Sequence, residues 1–436
     1  MRASSALGGS IAAALALVCP FAGTQITMAA IIPGDPIELA VAPRPDVPDV
    51  VLNDNGDPLV NGIGIFASDQ YSYDDNIYRL PGYLTDLSSL GGIGANASRS
   101  DRINTASAGA DGQWTVGRQN IAVDLAVNDN RYDTNSDLNN VSSNGKVAWN
   151  WDVGSALSGQ AGATYSRQLI SFVNAPSYGR ILNDSEQYWG AGRFQLGPHW
   201  GIFGGVMEQV STLSEATLVG NDLHAKSVAI GADLATSELN KIGAEYRYTD
   251  ATYPHQLSVN DDYREDAARV ILARNLSDKT TIDASVGFLK RDYADFGIES
   301  FSGVVYSLTG TWQPTEKLQL KLDGWRNLQA YVTTQSDYFV SKGVRLEPIW
   351  SLSEKINIDV NAGIEGQSFI GTGLEEAAEG DRRDTLTTFG SDIKYKPIKF
   401  VILEFGYSYE RHASNEARYG FNDNTFSLKV TVRRLP

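Results

Sequence analysis

The sequence predicts an all-β fold, a transmembrane antiparallel up-and-down β-barrel of about 18 strands with both termini at the same end. Three observations predict it. Short turn signals recur about every forty residues, the runs between them alternate apolar and polar side chains, and past the N-terminus no apolar run approaches the length of a membrane helix.

The turn signals centre on Gly117, Gly154, Gly197, Ser237, Ser277, Pro314, Ser353 and Pro397, at gaps of 37, 43, 40, 40, 37, 39 and 44 residues. Each gap has room for two strands and one longer loop. A membrane strand takes roughly 9 to 11 tilted residues, and single-chain bacterial barrels keep short turns at the periplasmic end and longer loops outside. Sixteen strands flank the eight turns; adding the first and last gives 18, with both termini periplasmic. A β-propeller also repeats at about 40 residues, but it packs four short strands into each repeat. The runs here are too long for that.

The alternation is sustained. Ile356, Ile358, Val360, Ala362 and Ile364 share one face, and Asn357, Asp359, Asn361, Gly363 and Glu365 share the other. Ile121, Val123, Leu125 and Val127 oppose Ala122, Asp124, Ala126 and Asn128 in the same way, as Leu318, Leu320 and Leu322 oppose Gln319, Lys321 and Asp323. A period of two means one face meets apolar surroundings and the other meets water.

Taken in order, residues 1–29 have the layout of a secretory signal: Arg2, an apolar stretch from Ile11 to Phe21, and small residues ending near Ala29 and Ala30. Cys19, the only cysteine, lies inside that segment between Val18 and Pro20, so the mature chain is expected to have neither disulfide nor thiolate chemistry. Residues 30–62 hold Pro33, Pro36, Pro43, Pro45, Pro48 and Pro58 and read as an extended periplasmic lead-in, because proline cannot donate to a strand ladder. Residues 63–436 form the barrel. Strand one is expected over Ile63 to Tyr78, a glycine-rich loop over Leu80 to Ser98, and strand two over Asp101 to Trp114.

Six of the eight tryptophans, Trp114, Trp149, Trp151, Trp200, Trp312 and Trp350, lie within five residues of a short turn. Indole prefers a membrane interface, so these six are expected to form a girdle at the periplasmic rim. Trp189 and Trp325 fall elsewhere. On the polar face, acids recur six to nine residues after a turn at Asp124, Glu245, Asp283, Asp323, Asp359 and Glu404, and the return strands offer Lys146, Arg193, Lys394 and Lys429. These ten are expected to line the lumen, either as a charge-lined conduit or as a wall of salt bridges.

A formal net charge of −16 argues against nucleic-acid binding, which needs clustered Lys and Arg. The Asp/Asn clusters at 74–76, 128–130, 260–262 and 422–424 read as turn chemistry and fit no EF-hand spacing. His199, His224, His255 and His412 are scattered, with neither a nucleophile elbow nor a zinc-protease motif beside them. No catalytic residue, cofactor or metal is expected.

Around strand one, Gly64-Ile65-Phe66 and Tyr71-Ser72-Tyr73-Asp74-Asp75-Asn76-Ile77-Tyr78-Arg79 resemble the start of the β-barrel porins of exopolysaccharide operons, the EpsL-like family. The likeness continues in Trp149-Asn150-Trp151-Asp152, Ser158-Gly159-Gln160-Ala161 and Ser166-Arg167-Gln168. It implies a channel in the outer membrane of a Gram-negative bacterium that exports exopolysaccharide, alongside periplasmic export proteins and an inner-membrane copolymerase. It supplies no catalytic residue. The chain departs from the aromatic C-terminus common in such barrels by ending Arg433-Arg434-Leu435-Pro436. A porin for small-solute diffusion and a loop-presenting adhesin or scaffold are the alternative readings.

Overall fold

The computed structural model describes residues 62–434, apart from 88–89, 91, 95, 175–176, 238–239, 257–259, 295–299, 334–335 and 371–381. The expected signal segment, with Cys19, and most of the proline-rich lead-in lie outside the described residues.

Eighteen strands follow one another: β1 (Gly62–Asp74), β2 (Asp101–Val116), β3 (Gln119–Tyr132), β4 (Asn140–Val153), β5 (Leu157–Leu169), β6 (Leu182–Leu196), β7 (Trp200–Leu213), β8 (Leu223–Ser237) and β9 (Asn240–Thr252), then β10 (Tyr263–Ser277), β11 (Thr280–Tyr293), β12 (Phe301–Thr315), β13 (Leu318–Thr333), β14 (Ser336–Ser353), β15 (Ile356–Ile370), β16 (Arg383–Ile398), β17 (Val401–Ser414) and β18 (Phe421–Arg434). Each pairs antiparallel with its sequence neighbours, and β1 pairs with both β2 and β18, which closes the sheet. Closure leaves no edge strand with unpaired backbone.

Exposure is inverted relative to a protein folded around an apolar core. Ile230 is 66% exposed and Val206 57%, whereas Arg247 and Arg291 are 2% and 1% exposed. Along β3, Ile121, Leu125 and Val127 stand exposed while Ala122 is buried, and along β15 Ile364 stands exposed while Asp359 is buried. The apolar set therefore faces outward, as a lipid-facing wall requires.

All eight expected turns are present, and three rest on glycine in the left-handed region: Gly117 (φ 64°), Gly154 (63°) and Gly197 (69°). The other reversals join β8–β9, β10–β11, β12–β13, β14–β15 and β16–β17, with two residues between the strands of each pair. Five of the expected turn centres need correction: Ser237, Ser277 and Ser353 are the last residues of β8, β10 and β14, just before their reversals. Pro314 and Pro397 sit inside β12 and β16, before the reversals at residues 316–317 and 399–400. Register shifts fall there, between Trp312 and Thr315 and between Tyr395 and Ile398. The same one-residue shift precedes the proline-free reversals, between Ala235 and Ser237, Asn275 and Ser277, and Ser351 and Ser353, and proline, lacking an N–H for the ladder, is tolerated at such a bulge.

Strand one also ends earlier than expected, at Asp74 rather than Tyr78. The Asn76 N–H donates to Asp74 Oδ1 (2.8 Å), and Arg79 takes a left-handed backbone (φ 56°), so the chain turns here instead of continuing the ladder. Strand two extends to Val116. The first residue of β1 and the last of β18 lie at the end of the barrel that carries the short turns, since Gly62 pairs with Gln113 and Ile65 with Arg434.

Candidate functional site: the inner wall and the two rims

Alternation places all ten sequence-predicted residues on the inward face. Most of the acids meet a cation or a hydroxyl. Asp124 stands opposite Lys146 in the β3–β4 register. Arg193 reaches across β7 to grip Asp233, its Nε donating to Oδ2 (2.7 Å) and its Nη2 to Oδ1 (2.5 Å). Glu245 pairs with Arg247 on its own strand (3.1 Å) and stands opposite Arg269. Asp323 accepts from Thr309 Oγ1 (2.8 Å), lies 3.4 Å from Lys321 Nζ and faces Arg345 in register. Asp359 accepts from Lys394 Nζ at 3.0 Å. Glu404 lies opposite Lys394 on one side and Lys429 on the other. Asp283 stands between Ala273 and Thr309.

These contacts favour the ion-paired wall over the bare conduit. Buried pairs add little net stability over an apolar substitute, yet losing one partner is costly, so they define which strands neighbour which. Sequence reasoning missed several partners: Asp233, Arg433 on Asp111 (2.5 Å), and the Arg291–Glu265 pair, with Nε and Nη2 at 3.0 and 2.7 Å from Oε2. The alternation that located Asp124 also puts each of these inward, so parity alone could have found them. Which strand supplies the partner depends on register.

The six turn-side tryptophans all face outward; Trp200, Trp312, Trp350 and Trp149 are 44–57% exposed. Trp149 and Trp151 pack together with ring centroids 6.3 Å apart, and Trp149 Nε1 donates to Gln119 Oε1 (2.9 Å). Toward the loop end the outer face also carries exposed Tyr71, Tyr73, Tyr165, Tyr188, Tyr306 and Phe426, which sequence reasoning did not single out. Trp189 and Trp325 face inward. Each lies over the glycine directly across the ladder, Trp189 over Gly162 and Trp325 over Gly343, where an added Cβ would come within 2.3 and 2.4 Å of the indole.

At the loop rim, the segment after β1 packs inward. Ile77, Tyr78 and Leu80, at most 2% exposed, join Ile103, Tyr132, Leu138 and Phe172, and Leu84, Leu87, Leu90 and Ile93 pack against them. Ile103 and Tyr132 are inward positions of β2 and β3, so the glycine-rich loop rests on the inner wall at the mouth. Arg99 ties it down by donating to the carbonyls of Leu80, Pro81 and Leu84. The Tyr78 hydroxyl donates to Asn135 Oδ1 (3.1 Å), and burial, with Asp101 and Asp137 nearby, pushes the phenol up to about 12.

A polar clamp holds the other end of this segment. The Arg79 guanidinium lies 3.0 Å from Asp74, 3.1 Å from Asp423 and 3.6 Å from Glu410, joining the loop to β1, β17 and β18. The three carboxylates hold its pKa above the ordinary arginine value, against the burial that opposes the charge. Asp75 accepts from the backbone and side chain of Asn424 (both 2.8 Å). Asp74, Asp75 and Asp423 lie close enough to share a metal ion, but Arg79 already supplies a cation between two of them.

The Asp/Asn clusters thus divide. Those at 74–76 and 260–262 make turns, with Asp262 N–H on Asn260 Oδ1 (3.0 Å). The other two lie within β3 and β18: Asn128 and Asn130 bond across to Ser142 (3.3 and 3.1 Å), and Asp423 joins the clamp. Inward strand positions let amides bond across the ladder, which turn statistics do not anticipate. Farther round the rim, Arg382 lies between the rings of Phe369 (4.0 Å) and Tyr419 (3.3 Å) and donates to Asp384, which His412 also contacts (3.0 Å).

Residues 244–434, a little under half of the chain, match a family model described as "Putative beta-barrel porin 2". No curated protein matches the chain. Among solved structures, OprD of Pseudomonas aeruginosa is 10% identical with a TM-score of 0.44, over 88% of this chain and 95% of that one. OpdK of the same organism, with vanillate, gives 9% and 0.43 over 86% and 99%. OccK2 (OpdF) in complex with glucuronate gives 8% and 0.44 over 86% and 98%. The eighteen-strand architecture described above stands on its own pairing.

Proposed function

We propose that this protein is an outer-membrane porin, a channel for diffusion of small solutes, with its short turns and both chain ends in the periplasm. The observation that carries the reading is the closed eighteen-strand wall, apolar and aromatic-belted outside, polar and ion-paired inside. Barrels of 16 to 18 strands leave an aqueous channel, and the porin family match over β9 to β18 supports the same reading. Export of exopolysaccharide rests on the strand-one resemblance alone, which makes the diffusion porin the better-supported function. Paired acids and bases along the wall favour weak charge selectivity, and the loop packed at the mouth narrows the entrance for large solutes.

Purified protein in planar bilayers should give stepwise ohmic conductance, and proteoliposomes should swell in small sugars. Sealed bilayers and non-swelling liposomes from heat-modifiable, folded protein would exclude it.

A further inference from the structure

Trp189 on β6 and Trp325 on β13 share a geometry that the ion-paired wall does not require. Each is half-buried, inward-facing and laid over its cross-strand glycine, so backbone covers one side of the indole; at Trp325 the Arg345 guanidinium also lies over the ring, 5.8 Å from its centroid. Each stands seven residues above the turn-side end of its strand, at Leu196 and Leu318, so the two sit at comparable heights. Their strands are seven places apart in the ring of eighteen and face each other obliquely across the channel.

Their surroundings are rich in hydrogen-bonding groups. Beside Trp189 the inward positions are Gln187 on its own strand, and Gln160 and Thr164 flanking Gly162 on β5; the nearest inward charge on β6, Arg193, is held by Asp233. Trp189 Nε1 has no hydrogen-bond partner among the described residues. Trp325 Nε1 donates to Ser341 Oγ (2.9 Å), which donates to Glu365 (2.8 Å), and Arg345 stands 5.8 Å from the ring with Asp323 opposite. Both platforms therefore offer an apolar π face beside groups that donate and accept. A neutral ring with one C–H face and a rim of hydroxyls satisfies both. The nearest inward cation to Trp189 off its own strand is Lys146, opposite Thr164 with Asp124 across from it, so near both indoles the cations stand beside carboxylates.

We propose that Trp189 and Trp325 are stacking sites for pyranose rings, making the lumen a path for neutral sugars or glycan segments; the inference rests on the porin reading for access to the lumen. The test uses the full-length protein and maltohexaose. In planar bilayers, maltohexaose should interrupt the ion current in a concentration-dependent way. Trp189→Leu and Trp325→Leu should each weaken that block roughly tenfold, measured relative to each variant's own open-channel current. In detergent micelles, maltohexaose should shift the tryptophan fluorescence of the unaltered protein, a readout independent of conduction. Conductance failing while the fluorescence responds would remove the porin reading and leave the sugar sites standing. The proposal is overturned if maltohexaose changes neither signal, if benzoate acts in its place, or if the folded Leu variants are blocked as strongly as the parent, which would make the indoles mere covers for glycine.

Discussion

The two rims of this barrel are built by different physics. At the turn rim, each reversal is short-range: three glycines in the left-handed region, and two-residue links preceded by one-residue bulges, two of which hold Pro314 and Pro397. At the loop rim, order comes from residues distant in sequence. Arg79 joins carboxylates on β1, β17 and β18, and Leu80 is buried among side chains from β2, β3 and the loops beyond. One rim is a series of short reversals, each tied to the next turn along, as Lys279 donates to the Pro314 carbonyl and Lys355 to that of Pro397. The other is a cooperative lid, so damage at a single residue should spread farther there.

The largest effect should follow Arg79→Ala, which leaves Asp74, Asp423 and Glu410 facing one another without their cation. A loss of about 3–5 kcal/mol is expected for a broken buried pair, seen as a lower temperature for the heat-modifiable gel shift and new proteolysis between residues 75 and 100. An unchanged transition would mean that the clamp is dispensable.

Leu80→Ala comes next. Emptying a fully buried leucine site costs about 2–5 kcal/mol, here concentrated on docking of the loop, so single-channel conductance should rise and become noisier. If the trace matches the parent, the loop does not narrow the mouth.

The turn rim should respond less. Gly117→Val places a β-branched residue at φ 64° with open space around its Cβ, so only backbone strain of about 1–2 kcal/mol is expected. The barrel should refold from urea to the same heat-modifiable form, and a collapse as severe as that of Arg79→Ala would erase the contrast between the rims.

The smallest effect concerns alkaline pH. With the Tyr78 phenol raised to about 12 in the folded loop and near 10 in an unfolded chain, the folded state holds its proton longer. The stabilisation is fully present below pH 10 and declines as pH rises toward 12. Protease sensitivity of residues 75–100 should increase across that window in the parent, and Tyr78→Phe should flatten the dependence.

Much of the turn rim was legible in the sequence, because its signals are short-range. A left-handed glycine, a proline without an N–H and a tryptophan beside a turn carry their meaning within a few residues. Parity also placed Asp124, Asp359 and Glu404 inward. It could not say that Asp359 would take Lys394 or that Arg193 would reach past β7 to Asp233, since those choices depend on register and strand tilt. Strand one was read four residues too long for a related reason. Tyr71 to Tyr78 keeps an alternating look, but the chain turns on the Asn76 N–H to Asp74 bond and the left-handed Arg79, and Glu410 of β17 and Asp423 of β18 hold Arg79 there.

By itself, the sequence determined the strand number and the eight reversals, and set the acids on the opposite strand face from the apolar residues, because period-two alternation and turn chemistry are properties of neighbouring residues. Tertiary structure decided the rest: which charges pair, that the first loop packs into the mouth on an apolar cluster, and that Trp189 and Trp325 lie flat over glycines on facing walls. Those outcomes arise when strands distant in the chain are brought into register by closure of the barrel, and no local pattern encodes the distance between them.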